Sequence, residues 1–120
     1  MKLKIRSVAE KGVEGKERLV IRVENDANVG EFLVVRTGFA DGTVNIGVTH
    51  TYWFPDKEVS AGDLIVLYTK TGTISEKKLE SGSKAHFYYW GEQGSLWSAS
   101  NKAAVLLHAP VWESSAADEL

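Results

Sequence analysis

Cysteine is missing from all 120 residues. Thiolate metal centres, redox dithiols and disulfide frameworks are thereby excluded, and a reducing, cytoplasmic setting is the expected one. Proline is scarce, with only two residues, Pro55 and Pro110, and Pro55 marks a place where a strand has to leave its sheet. No apolar run approaches the roughly eighteen residues of a membrane-crossing helix, and the opening MKLKIRSVAE has lysines but no apolar core of signal-peptide length, so no membrane association is expected. No helical period is sustained beyond about one turn anywhere in the chain.

Charge of one sign is also lacking: 14 Lys and Arg stand against 16 Asp and Glu, a net charge of -2. The footprint of a generally basic nucleic-acid binder is absent. The distribution is nevertheless uneven. Residues 1 to 22 hold seven Lys or Arg against three Glu, and the acidic excess lies in the rest. Motifs that carry chemistry are missing as well. There is no G-x-S-x-G elbow, no G-x-G-x-x-G and no phosphate loop ending in Gly-Lys-Ser/Thr, and a chain without helices lacks the helix N-terminus that phosphate loops use. Asp26, Asn28 and Gly30 occur at calcium-loop spacing, but the distal bidentate Glu of such a loop is not at its offset, and a turn explains the same residues.

What is present is alternation. Met1 to Val8 places Leu3 and Ile5 on one side and Lys2, Lys4 and Arg6 on the other, as an edge strand covering a core does. After a Gly-rich turn, Glu17 to Glu24 alternates again, with Leu19, Ile21 and Val23 inward and Arg18 and Arg22 outward, so the two segments predict a hairpin with a basic solvent face. Further strands are expected over Glu31 to Thr37, Thr43 to Val48, His50 to Phe54 and Leu64 to Thr69, the last in a central position. Asp41-Gly42 is a hairpin-turn dipeptide. Lys70 to Ser83 is polar and reads as a mobile excursion. Strands follow at Lys84 to Trp90, around Trp97 and over Ala103 to Leu107, with a short edge at 110–112. Ten or so short strands separated by turn residues predict an all-β sandwich or barrel, one domain over 1–112 with a flexible acidic tail over 113–120.

The order of several motifs resembles the lamin tail domain, an immunoglobulin-like β-sandwich found in nuclear lamins and in many bacterial proteins. The likeness rests on Arg22-Val23-Glu24-Asn25, on Phe54-Pro55, on Gly62-Asp63 leading into Leu64 to Tyr68, on Tyr89-Trp90-Gly91 followed by Leu96-Trp97, and on Ala104 to Leu107. It spans about residues 17 to 108. Asn101-Lys102 and Ala109-Pro110 stand where the family usually has Gly-Asp and a closing Gly. The resemblance implies an immunoglobulin-like sandwich of two antiparallel sheets and a targeting or adaptor role, with protein partners and, in lamins, also chromatin.

The residues themselves nominate three kinds of site. Four tryptophans are many for a small domain, and Trp53 and Trp97, each beside a turn, are the expected exposed anchors of a protein-binding surface, with Glu92 and Gln93 as polar neighbours. Lys2, Lys4, Arg6, Arg18 and Arg22 form the alternative, a stripe for nucleic-acid phosphates. His50, His86 and His108 offer a metal or general-base site, with His50 and His86 as the pair to test, in a small metal-dependent enzyme. The reading adopted from the sequence is a non-enzymatic interaction module, without cofactor or metal, that binds another protein and has the size of a homo-oligomer subunit.

Overall fold

The computed structural model describes residues 1–120 and contains only strands, turns and two single-turn 3-10 segments. In chain order the strands are β1 (Leu3–Ala9), β2 (Arg18–Val23), β3 (Ala27–Asn28), β4 (Phe32–Ala40), β5 (Thr43–Val44), β6 (His50–Trp53), β7 (Glu58–Val59), β8 (Leu64–Tyr68), β9 (Ser75–Lys78), β10 (Lys84–Tyr89) and β11 (Lys102–His108). The larger sheet runs β1-β2-β8-β10-β9, the second has β4 between β11 and β6 with β5 extending the far end of β4, and β3 pairs with β7 as a small third sheet.

The β1–β2 hairpin is antiparallel as its alternation predicts, and β8, the most apolar strand of the first two-thirds of the chain, lies centrally. Asp41 and Gly42 both adopt positive φ, 54° and 76°, the left-handed pair that lets a two-residue turn follow strand twist between Ala40 and Thr43. One apolar core joins the sheets. Leu3, Leu19, Ile21, Val23, Ile65, Leu67 and Tyr88 enter it from the larger sheet, and Phe32, Val34 and Phe54 from β4 and the end of β6. Tyr52, Phe54 and Tyr88 meet edge to face within it, at 5.0 to 6.3 Å between centroids.

Four expectations are corrected. The sheets are not both antiparallel, because β8 and β10 pair in parallel. After β8 the chain passes beyond the position of β10, forms β9, and turns back so that β10 inserts between them, parallel to β8 and antiparallel to β9. The excursion over 70–83 therefore contains an edge strand. All four β9 side chains are exposed, so no alternation marks it in the sequence. Strand Thr43 to Val48 is only two residues long, since Asn45 turns the chain by accepting a bond from the Gly47 N–H. Segments 95–100 and 110–112 form no strand.

Gly30 shows how the small third sheet is held. Asn28 Oδ1 accepts from the Gly30 and Lys57 N–H groups, while its amide donates to Asp56. A Cβ at Gly30 would stand 2.7 Å from Asp56 Cα and 2.9 Å from its backbone nitrogen. Gly30→Ala is therefore expected to destabilise the protein by about 2–3 kcal/mol in urea unfolding, the cost of overpacking against backbone that cannot step aside.

Candidate functional site

The alternation that builds the core also carries ionisable groups into it. Glu17, immediately before β2, is in phase with the inward Leu19 and Ile21 and is only 1 % exposed. Its carboxylate accepts five hydrogen bonds: from the Gly12 N–H (3.0 Å), the Thr69 hydroxyl (2.7 Å), the Ser95 hydroxyl (2.5 Å), the Leu96 N–H (2.9 Å) and the Trp97 N–H (3.3 Å). Burial alone raises the pKa of such a group, but the bonds from Ser95, Thr69, Leu96 and Gly12 outweigh it and hold Glu17 below its ordinary value. Glu17 is thus an ionised anchor that ties the β1–β2 turn, the end of β8 and the 95–97 segment together. It is not a base waiting for a proton.

At the opposite end of β8, Asp63 is in phase with Ile65 and Leu67 and takes the corresponding inward place. It accepts from the Ser60 and Lys84 N–H groups, each at 3.0 Å, and lies 2.9 Å from His86 Nε2. Here too burial pushes upward, and the bonds from His86, Lys84 and Ser60 win, so Asp63 titrates below its ordinary value. His86 is 2 % exposed and its Nδ1 has no hydrogen-bond partner. A polar hollow of about 230 Å³, bordered by Lys57, Ser60, Ser83 and Lys84, reaches this pair. Neither serine hydroxyl bonds the imidazole, so the nucleophile–base contact that acyl transfer needs is not made. Both lysines are held by Glu76, whose carboxyl they bring down to about 2.

The histidines do not converge. His50 lies 3.9 Å from Glu92, His86 is bound to Asp63, and His108 stacks on Phe32 and contacts Glu31 at 2.9 Å. No group of three His, Asp or Glu residues is placed to hold a metal ion.

The surfaces are more distinctive than the interior. On the outer side of the second sheet, Ala103, Val105 and Leu107 of β11, Leu33, Val35 and Thr37 of β4, and Thr51 and Trp53 of β6 lie in register. None of these positions carries a charge. Trp53 is 47 % exposed, donates from its indole nitrogen to the Gly30 carbonyl at 2.8 Å, and meets the 61 % exposed Trp112 edge to face at 5.0 Å. The polar segment 113–120 follows Trp112, with all its side chains exposed.

The outer side of the larger sheet is the opposite in character. Lys4 faces Arg22 directly across the β1–β2 ladder, Lys77 lies in the same cross-strand row, and Arg6 and Glu24 join Lys4 and Arg22 around a hollow of about 300 Å³, with Glu24 3.4 Å from the Arg22 guanidinium. Two rows away, Tyr68 and Tyr89 stack at 5.3 Å, and the cations of Arg18 and Lys70 stand 5.7 and 5.0 Å from the Tyr68 ring. Lys2 is exposed just before β1.

The residues expected to form a protein-binding site are therefore scattered. Trp53 is on the surface, but Trp97 is not: only 6 % exposed, it packs on Trp90 in the core because Glu17 draws its backbone inward. Glu92 and Gln93 border a separate polar hollow with Glu14 and Lys70. Trp112, Leu107 and Lys70 belong to the two faces and were not singled out by sequence pattern. Glu17 was legible in principle, since it continues the inward alternation of Leu19, Ile21 and Val23; Asp63 was not, because β8 is apolar on both faces, and His86 is the one of the three that the sequence nominates. No protein-family model matches the chain, and no curated protein is significantly similar to it.

Replacing Glu17 by Gln turns amide hydrogens toward donors and is expected to cost about 2–4 kcal/mol. The pH dependence has a definite sign. A carboxyl depressed in the folded state stabilises above its unfolded value, 4.5 for Glu17, and that contribution is lost as pH falls through the folded value. Urea midpoints measured from pH 7 down to pH 2 are expected to fall less steeply below pH 4.5 in Glu17→Gln than in wild type, with the remaining slope carried by groups such as Asp63.

Proposed function

We propose that this chain is a non-enzymatic interaction module, an immunoglobulin-like sandwich distantly related to the lamin tail domain, which binds another protein through the outer face of the β11-β4-β6 sheet. The observation that carries this reading is the uncharged, partly exposed row Leu107, Leu33, Trp53, extended by Trp112. Leu107, Trp53 and Trp112 are 41 %, 47 % and 61 % exposed, and tryptophan is among the side chains enriched where binding energy concentrates. A partner that fits presents an uncharged, apolar surface with an acceptor or aromatic edge for the indoles. The buried carboxylates support the same reading, because their lone pairs are filled by groups that hold the fold.

A specific observation favours a second reading, contact with nucleic acid through the larger sheet. The strand positions on that face supply Lys4, Arg18, Arg22 and Lys77, with Tyr68 and Tyr89 beside them and Glu24, just beyond β2, paired with Arg22 at 3.4 Å. Such a site loses affinity steeply with added salt, whereas the apolar face does not.

The test is a comparative affinity capture from host extract with wild type, Trp53→Ala and Arg22→Ala. The expected result is a set of proteins retained by wild type and Arg22→Ala and bound roughly thirtyfold more weakly by Trp53→Ala, the equivalent of ~2 kcal/mol at one anchor. Identical retention by all three overturns the protein-binding reading. Nucleic acid lost only with Arg22→Ala, and in a salt-dependent way, replaces it with the second.

A further inference from the structure

The strand edges of this protein are not treated alike. β1 carries Lys4 and Arg6 and has a register shift between Ile5 and Ser7, β9 is a four-residue run of charged and polar side chains, and β6 is four residues long and is followed closely by Pro55. Bulges, charges and shortness are the devices that stop an edge from pairing with another chain. β11 is neither bulged nor short, and its charge is confined to Lys102 at its start. It is seven residues long, pairs with β4 without a register shift, and is uncharged from Ala103 to Leu107.

The ladder also fixes which of its backbone groups are free. The Phe39 N–H donates to the Asn101 carbonyl and the Ala109 N–H to the Glu31 carbonyl, so odd-numbered residues of the strand bond to β4. The N–H and C=O groups of Ala104, Leu106 and His108 therefore point away from the sheet. Beside this edge, the space between the two sheets opens as an apolar cleft of about 520 Å³, bordered by Met1, Leu3, Ile5, Val44 and the inward-facing Ala104 and Leu106.

We propose that β11 pairs with β11 of a second copy of this chain, antiparallel about a two-fold axis at Val105, and joins the two β11-β4-β6 sheets into one. This register puts Ala104 opposite Leu106 of the other copy, so that outward-pointing backbone groups meet outward-pointing groups and both N–H to C=O bonds of each such pair form. On the inner side, the second copy's Ala104 and Leu106 close over the apolar cleft. At the ends, Lys102 of each copy comes opposite His108 of the other, where Glu31 already stands 2.9 Å from the imidazole. The cation thus meets a carboxylate at both ends of an otherwise uncharged strand. A second copy satisfies this charge arrangement twice through one symmetric contact, as two-fold interfaces do. The pairing leaves the Trp53 face open and does not rest on the function proposed for that face.

Sedimentation velocity over a range of concentrations tests it. Wild type is expected to reach about twice the 13.2 kDa of one chain. Ala104→Pro removes an N–H that faces away from β4, and proline is tolerated at such edge positions, so this variant is expected to be monomeric and folded by circular dichroism. Lys102→Glu is expected to weaken the dimer at least ~tenfold through like-charge repulsion with Glu31, and the exchange Lys102→Glu with Glu31→Lys to restore it. Should Ala104→Pro lose its fold, the charge exchange decides alone. Wild type that stays monomeric at every concentration overturns the proposal, as does a dimer indifferent to Lys102→Glu or one abolished instead by Trp53→Ala.

Discussion

A buried carboxylate with every acceptor position engaged is the constraint on which this fold is hung. Glu17 lies on the core side of β2, where an unpaired charge would be prohibitive, and five donors from three separate parts of the chain surround it. The residues that supply them are fixed by that demand. Ser95, Leu96 and Trp97 form no strand, yet they are held at the sheet end as firmly as strand residues, and the Trp97 ring follows its backbone into the core. Asp63 performs the same office at the other end of β8. The central strand is thereby terminated at both ends by ionised groups that organise neighbouring turns.

The buried ionisable groups are engaged with backbone and hydroxyl donors and, for Asp63 and His86, with each other. The best-enclosed acid is saturated with donors, and the Asp63–His86 pair has no hydroxyl in contact with its free nitrogen. Chemical character lies instead on the two outer sheet faces, one uncharged and bearing tryptophan, the other basic and bearing paired tyrosines. Strand alternation generates both. The residues that do not enter the core are sorted onto the outer sides of the two larger sheets, so each can bear a different kind of contact.

Much of the architecture was legible. The β1–β2 hairpin, the Asp41-Gly42 turn, central β8 and the apolar β11 follow from alternation and from turn residues whose backbone preferences are local. β9 escaped because a strand exposed on all its side chains has no pattern to show, and only the ladder to β10 makes it one. Exposure of the tryptophans was half legible. Trp53 and Trp97 both sit beside turns, and what separates them is a carboxylate some eighty positions away in the chain.

The sequence by itself determined the secondary structure class, the inward and outward sides of β1 and β2, and the charge asymmetry of that first hairpin, because these depend on neighbours one or two residues apart. Tertiary structure alone decided the parallel pairing of β8 with β10, the gathering of five donors around Glu17, the contact of Trp53 with Trp112, and which strand edge stays unprotected. These depend on which distant segments share a ladder or a core, and long-range pairing is chosen by the total free energy of packing and hydrogen bonding over the whole chain.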